Sequence, residues 1–141
     1  MTTLTLPYPP SVNHYWRKWH NRMVISREGR AYRKDVRALL ATAGQGGKPP
    51  DDGSIALAMD AFPPDRRRRD LDNIQKPLLD ALEHAGLYAD DSQIDVLLTQ
   101  RRKVTPGGQV IVRIAPLPLG LCLLCGAPMY ASDRNRTIIL N

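Results

Sequence analysis

The sequence predicts an α+β fold, a small mixed β-sheet with two helices packed on it. Three observations lead there. Apolar residues alternate with polar ones in short runs near Leu4, Leu57 and Val112, which is the period of half-buried strands. Two segments between these runs carry apolar residues at helical spacing instead. The chain has 141 residues, enough for one compact core and too few for two ordinary domains.

Taken in order, Leu4 and Leu6 alternate with Thr3 and Thr5 before Pro7 interrupts, so a short strand gives way to a proline-rich loop. From Ser11 to Ile25, two tryptophans, two histidines and several basic residues show no period, and an irregular basic loop is expected. Ser26 is a good N-cap for a helix from Arg27 to Ala43. Tyr32, Val36, Leu39, Leu40 and Ala43 form its apolar stripe, with Arg30, Arg33, Lys34 and Arg37 largely off it. Gly44 to Gly53 carries loop signals. Ile55, Leu57 and Met59 alternate into a second strand ending at Pro63-Pro64. A second helix is expected from Lys76 to Ala85, with Leu78, Leu79, Leu82 and Ala85 inward and Gly86 ending it. Pro77 suits only the first turn of such a helix. Residues 94–103 and 109–115 read as a β-hairpin about Pro106-Gly107-Gly108. The resulting order, β-α-β-α-β-β, fits a mixed sheet.

Lys and Arg outnumber Asp and Glu by 20 to 14, and the sequence pI is 9.7. That balance is a footprint of nucleic-acid binding, shared with many other basic proteins. The opening residues have neither a basic nor an apolar signal region, and no apolar run approaches the ~20 residues of a membrane span. Two cysteines, Cys122 and Cys125, lie too close together to staple a fold. A reducing cytoplasm and no membrane contact are therefore expected.

The chemistry concentrates in Asp65-Arg66-Arg67-Arg68-Arg69-Asp70-Leu71-Asp72-Asn73. In an extended backbone Asp70 and Asp72 point to one side, while Leu71 points to the core. Two hard oxygen ligands are thereby offered to one cation. Asp90 and Asp91 follow the second helix, and one of them could complete a three-carboxylate cage. Clustered carboxylates repel one another unless a cation joins them. A hard divalent ion there would activate water and neutralise charge on a phosphodiester. Lys76, at the helix opening, could stabilise the transition state or orient the nucleophile. Spacing alone leaves other roles open. Asp72 or Asn73 also suits a helix start, and Arg66 to Arg69 also suits a solvated basic patch. An EF-hand loop is excluded, because Gln75 and Ala81 stand where its glycine and glutamate belong. No Ser-His-Asp set, Cys-His pair or P-loop is present.

The whole string RRRRDLDNIQKPLLDALEHAGLYADDSQI resembles the central motif of the RusA family of Holliday-junction resolvases. LPYPPSVNHYW and SREGRAYR resemble that family's preceding segments, in its order and spacing, so the likeness covers roughly residues 3–115. The resemblance implies a RusA-like fold and a Mg²⁺-dependent endonuclease, with Mn²⁺ able to substitute. It implies a homodimer that resolves four-way DNA junctions by paired symmetric nicks in recombination and repair. By the same likeness Asp70, Asp72 and Asp91 are the metal-binding and catalytic carboxylates, Lys76 the essential lysine, and Asp90 an accessory acid. Arg66, Arg67, Arg68, Arg69, Arg30, Arg33, Lys34 and Arg37 would hold DNA phosphates. A phage or prophage origin, in a bacterial host's cytoplasm, also follows from it.

The likeness fades near Ala115, so residues 1–115 are expected to form the endonuclease domain and 116–141 a C-terminal extension of open role. Cys122-Leu-Leu-Cys125 is half of a zinc-ribbon spacing with no second pair, so zinc is not expected there. Two other functions compete. One is a catalytically silent DNA-binding protein of the same fold, which would have no use for clustered carboxylates. The other is a nuclease of the same chemistry that prefers flaps or forks.

Overall fold

The computed structural model describes residues 1–45 and 53–117. Ten elements follow in order: β1 (Thr2–Pro7), α1 (Val12–Tyr15), β2 (Trp16–Trp19), β3 (Arg22–Ile25), α2 (Arg27–Thr42), β4 (Ile55–Phe62), α3 (Asp72–His84), a 3₁₀ turn (Asp91–Gln93), β5 (Ile94–Arg101) and β6 (Gln109–Pro116). The expected α+β class and the order of the main elements are found. The four-stranded sheet runs β1-β6-β4-β5. β4 pairs antiparallel with β6 and parallel with β5, and β1 pairs antiparallel with β6.

The expected β5–β6 hairpin is not formed, because β4 lies between the two strands. The reason lies in β4 itself. Its residues Ile55 to Ala61 are buried, so the backbone N–H and C=O groups along both of its edges must find partners. The β4–α3–β5 crossover supplies one, and residues 102–108 carry the chain past the end of β4 to supply the other.

One face of the sheet presents Leu4, Leu6, Leu57, Met59, Val110, Val112 and Ile114 to the helices. Tyr32, Val36 and Leu40 of α2 and Leu78, Leu79 and Leu82 of α3 cover them. Leu39 is exposed, and Ala43 with it. The α2 stripe is therefore narrower than the sequence suggested, because α3 and the sheet meet only one side of the helix. Truncating a fully buried side chain here, such as Leu82→Ala, costs ~2–5 kcal/mol.

Ser26 caps α2 as expected, its hydroxyl accepting from Gly29 N at 2.9 Å. Gly29 is required by close approach: a Cβ there would lie 2.7 Å from the Tyr15 carbonyl oxygen. Residues 11–25 are more ordered than their lack of period suggested. They form α1 and a β2–β3 hairpin turning at His20-Asn21, with His20 left-handed at φ 51°.

The second helix starts four residues before the expected Lys76, at Asp72. Pro77 thus lies inside α3 rather than at its opening. Its ring cannot donate the usual bond to the carbonyl four residues back, and deep burial of Ile74, Leu78 and Leu82 on the core outweighs that loss. Gly86, at φ 79°, ends the helix as expected. Cys122, Cys125 and the extension beyond residue 117 lie outside the described residues. Among the described residues no helix is long and apolar enough to cross a membrane.

Candidate active site

Helix α3 sets the site. Lys76, Asp80 and Glu83 fall at i, i+4 and i+7, so the helical repeat stacks them on one side. Asp91 arrives from the turn after the helix. Asp90 caps that turn, its carboxylate accepting from Ser92 N at 2.8 Å. The Gln93 amide oxygen accepts from Ala89 N at 2.7 Å and Asp90 N at 3.2 Å, while its NH₂ donates to Gly53 O at 3.0 Å. This bracing fixes where Asp91 stands.

Lys76 Nζ lies 2.8 Å from Asp80 Oδ1 and 3.0 Å from Asp91 Oδ2. Contact with Asp80 first, and with Asp91 after it, raises the lysine pKa despite partial burial. The two contacts thus favour the charged ammonium form of Lys76. Oxygens of Asp80, Glu83 and Asp91 lie within 4.8 Å of one another. Burial first, and then the negative charge of Asp91, Asp90 and Asp80, raises the Glu83 pKa. Three carboxylates facing one ammonium leave excess negative charge. Asp80 Oδ2 is also buried without a hydrogen-bond partner. Such an all-oxygen donor set suits a hard divalent cation.

Asp91 and Lys76, both expected from the sequence, are thus brought together. Asp72 opens α3 one turn before Lys76, exposed, with Oδ1 accepting from Asn73 N at 3.0 Å. The expected extended Asp70-Leu71-Asp72 pairing does not occur. Leu71 already has helical angles, φ −68° and ψ −34°, so Asp72 lines up with Lys76 by helical repeat, not with Asp70 by strand repeat. Asp70 precedes the helix, exposed and with no hydrogen bond or ion pair to another described residue. Asp70 and Asp72 stand outside the Asp80–Glu83–Asp91 group. Asp90, expected as an accessory acid, has a carboxylate engaged in capping, and those hydrogen bonds from Ser92 lower its pKa. Asp80 and Glu83 escaped the sequence reading. The available signal was an acid at i+4 from Lys76 inside an otherwise apolar helix stripe.

The basic residues divide into two groups. Arg30, Arg33, Lys34 and Arg37 line one groove of about 640 Å³ together with Trp16, Met23, Ile25 and His84. Trp16, Arg33 and His84 also line the adjoining depression that holds Lys76, Asp80, Glu83 and Asp91. A basic track on α2 therefore leads into the acidic site. Arg67, Arg68 and Arg69 line a different depression with Asp70 and Asn73. Within the run, Arg69 is committed to Asp65 through bonds of 2.6 and 2.9 Å, whereas the Arg67 side chain is 85% exposed. Arg102 is held by Asp60 at 2.7 Å, and Arg101 by the Arg69 carbonyl.

Residues 7–115 match the family model of endodeoxyribonuclease RusA. A crossover junction endodeoxyribonuclease rusA of Enterobacteria phage HK97 is 43% identical over 112 residues, covering 79% of this chain and 92% of that protein. The crossover junction endodeoxyribonuclease RusA of Escherichia coli K12 is 39% identical over 121 residues, covering 82% and 94%. A relative of the same name from Enterobacteria phage 82 is 39% identical over 117 residues, covering 81% and 93%. With a family match spanning most of its length and relatives near 40% identity, the chain belongs to the endodeoxyribonuclease RusA family.

Proposed function

We propose that this protein is a divalent-metal-dependent endonuclease that resolves four-way DNA junctions by paired symmetric nicks, acting as a homodimer. The observation that carries this reading is the meeting of Lys76 with Asp91, residues that stand fifteen positions apart in the sequence. An ammonium clamped among carboxylates at the end of a basic groove is an arrangement for phosphodiester chemistry. The names of the relatives supply the substrate class, crossover junctions. Two nicks require two sites, which supports the homodimer.

Asp70, Asp72 and Asp91 would hold Mg²⁺, with Mn²⁺ able to replace it. Asp70 is uncommitted and Asp72 has one engaged oxygen, so both keep hard donors for an ion. Such an ion supplies an activated water and a Lewis acid for the phosphate oxygens. Lys76, as an ammonium, offsets the negative charge that builds on the phosphoryl oxygens as the strand breaks. Lys34 and Arg37 contact backbone phosphates along α2, while Arg30 and Arg33 line the same path from positions fixed by Ile25 O at 2.7 Å and the Tyr15 hydroxyl at 2.6 Å. Arg66, Arg67 and Arg68 reach a second stretch of backbone, and Arg69 shapes their loop through Asp65.

The test is cleavage of synthetic four-way junctions, flaps, forks and linear duplex, with and without Mg²⁺. Paired nicks at symmetric positions on the junction, absent without metal, are expected. Preferential cutting of flaps or forks would replace the junction with those substrates. Binding without cutting under any metal condition would make the protein a silent binding module.

A further inference from the structure

Asp80 sits in the middle of α3 among core residues, with Leu79, Ala81 and Leu82 on either side. Its side chain is only 9% exposed. One oxygen meets Lys76 and the other is buried with no hydrogen-bond partner. Burying a carboxylate with one oxygen unsatisfied is costly, and a neutral side chain of the same shape would leave no buried unpaired charge, because Lys76 is half exposed and keeps Asp91. The core gains nothing from the charge. Lys76 does.

A lysine on an exposed helix face has four rotatable side-chain bonds and no fixed place for its ammonium. Asp91 alone would hold it weakly, because the Asp91 side chain is 45% exposed and such pairs are screened by water. Asp80 differs because its side chain is only 9% exposed, so water screens its pairing with Lys76 far less. The two acids approach Nζ from separate elements, one from within the helix and one from the turn after it. We propose that Asp80 is a positioning residue for strand cleavage, a buried anchor that holds the Lys76 ammonium beside Asp91 where the scissile phosphate is received. Being nine-tenths buried, Asp80 does not touch DNA and acts through the lysine. This inference rests on the role given to Lys76 above.

The test is Asp80→Asn, which keeps the shape and removes the charge, with Asp80→Ser as a second variant that cannot overfill the site. Four readouts are compared with the unaltered protein: melting temperature, junction affinity in Ca²⁺, kcat and KM in Mg²⁺, and the Lys76 ammonium signal in a ¹⁵N-lysine-labelled sample, assigned with Lys76→Arg. The expected result is an unchanged or higher melting temperature, with junction affinity and KM within about twofold. kcat should fall ~10–100-fold, the range for groups that orient a functional side chain. The Lys76 signal should broaden as its hold loosens. A structural role would instead lower the melting temperature, and failure of both variants to fold would overturn the proposal. So would wild-type kcat in both. Loss of Mn²⁺ binding in step with kcat would also overturn it, by making Asp80 a ligand. An unaltered protein that cuts no junction would sink the reading of Lys76 separately. The ammonium signal would still show whether Asp80 holds it.

Discussion

The Lys76 ammonium lies 3.0 Å from the Asp91 carboxylate, joining the second turn of α3 to the 3₁₀ turn that precedes β5. Neither partner would be in place without Pro77, Leu78 and Leu82 seating the helix on the sheet, and the Asp90–Gln93 cap seating the turn.

Because the Lys76 ammonium is held between Asp80 and Asp91, replacing it should affect the transition state rather than binding. Lys76→Gln is expected to lower kcat ~10²–10³-fold, the scale for removing one electrostatic stabiliser, with junction affinity within threefold. Single-turnover cleavage and gel-shift titration separate the two. An unchanged kcat would remove the lysine from the chemistry.

Two sets of carboxylates share Asp91, and metal titration tells them apart. If Asp70 and Asp72 are ligands, Asp70→Asn and Asp72→Asn abolish cleavage and weaken Mn²⁺ binding, while Glu83→Gln leaves both nearly intact. The opposite pattern, followed by Mn²⁺ paramagnetic resonance in the presence of junction, would move the ion to the Asp80–Glu83–Asp91 group.

On α2, the Lys34 and Arg37 side chains have no hydrogen bond or ion pair to another described residue. Lys34→Gln with Arg37→Gln should weaken junction binding and reduce the slope of log affinity against log salt by ~2, at ~0.9 per phosphate contact. The melting temperature should not move. An unaltered slope would take the DNA path off this helix. Neutralising Arg66, Arg67 and Arg68 should act similarly, whereas Arg69→Gln should chiefly loosen the loop through Asp65.

The far face of the sheet carries a separate prediction. Asp60, 5% exposed, is bonded by Arg102 at 2.7 Å and Arg113 at 2.8 Å. Burial alone would raise its pKa, but the hydrogen bonds and charges of the two arginines overturn that and lower it. Asp60→Ala should cost about 3 kcal/mol, because Arg113 loses a buried partner. A depressed folded pKa means this stability is present above the ordinary carboxylate value, about 3.9. It is lost as pH falls through the lower folded value. Denaturant melts at pH 7 and at progressively lower pH should show the difference between wild type and Asp60→Ala shrinking. A constant difference would contradict this.

Much of the fold was legible in local pattern. The β1 alternation, the Ser26 cap and the Gly86 stop depend on neighbouring residues and are found as expected. The position of β6 was not legible, since strand order follows from β4 needing partners on both edges, a tertiary requirement. Pro77 misplaced the start of α3 because propensity favours proline in the first turn, while core contacts of Ile74 and Leu78 extend the helix back to Asp72. At the site, spacing already offered Lys76 and one of Asp90 and Asp91, and the choice of Asp91 came from likeness to a family. Their contact with Asp80 required the helix face and the following turn to be placed in space, and no spacing rule joins residues 76 and 91.

Asp91 is the one carboxylate common to both candidate ligand sets and the direct partner of Lys76, so Asp91→Asn on a labelled four-way junction is the most direct measurement. The expected result is a junction bound as tightly as by the unaltered protein and left uncut at saturating Mg²⁺. Paired nicks at the wild-type rate would contradict a metal-dependent cleavage site built on α3 and the turn that follows it.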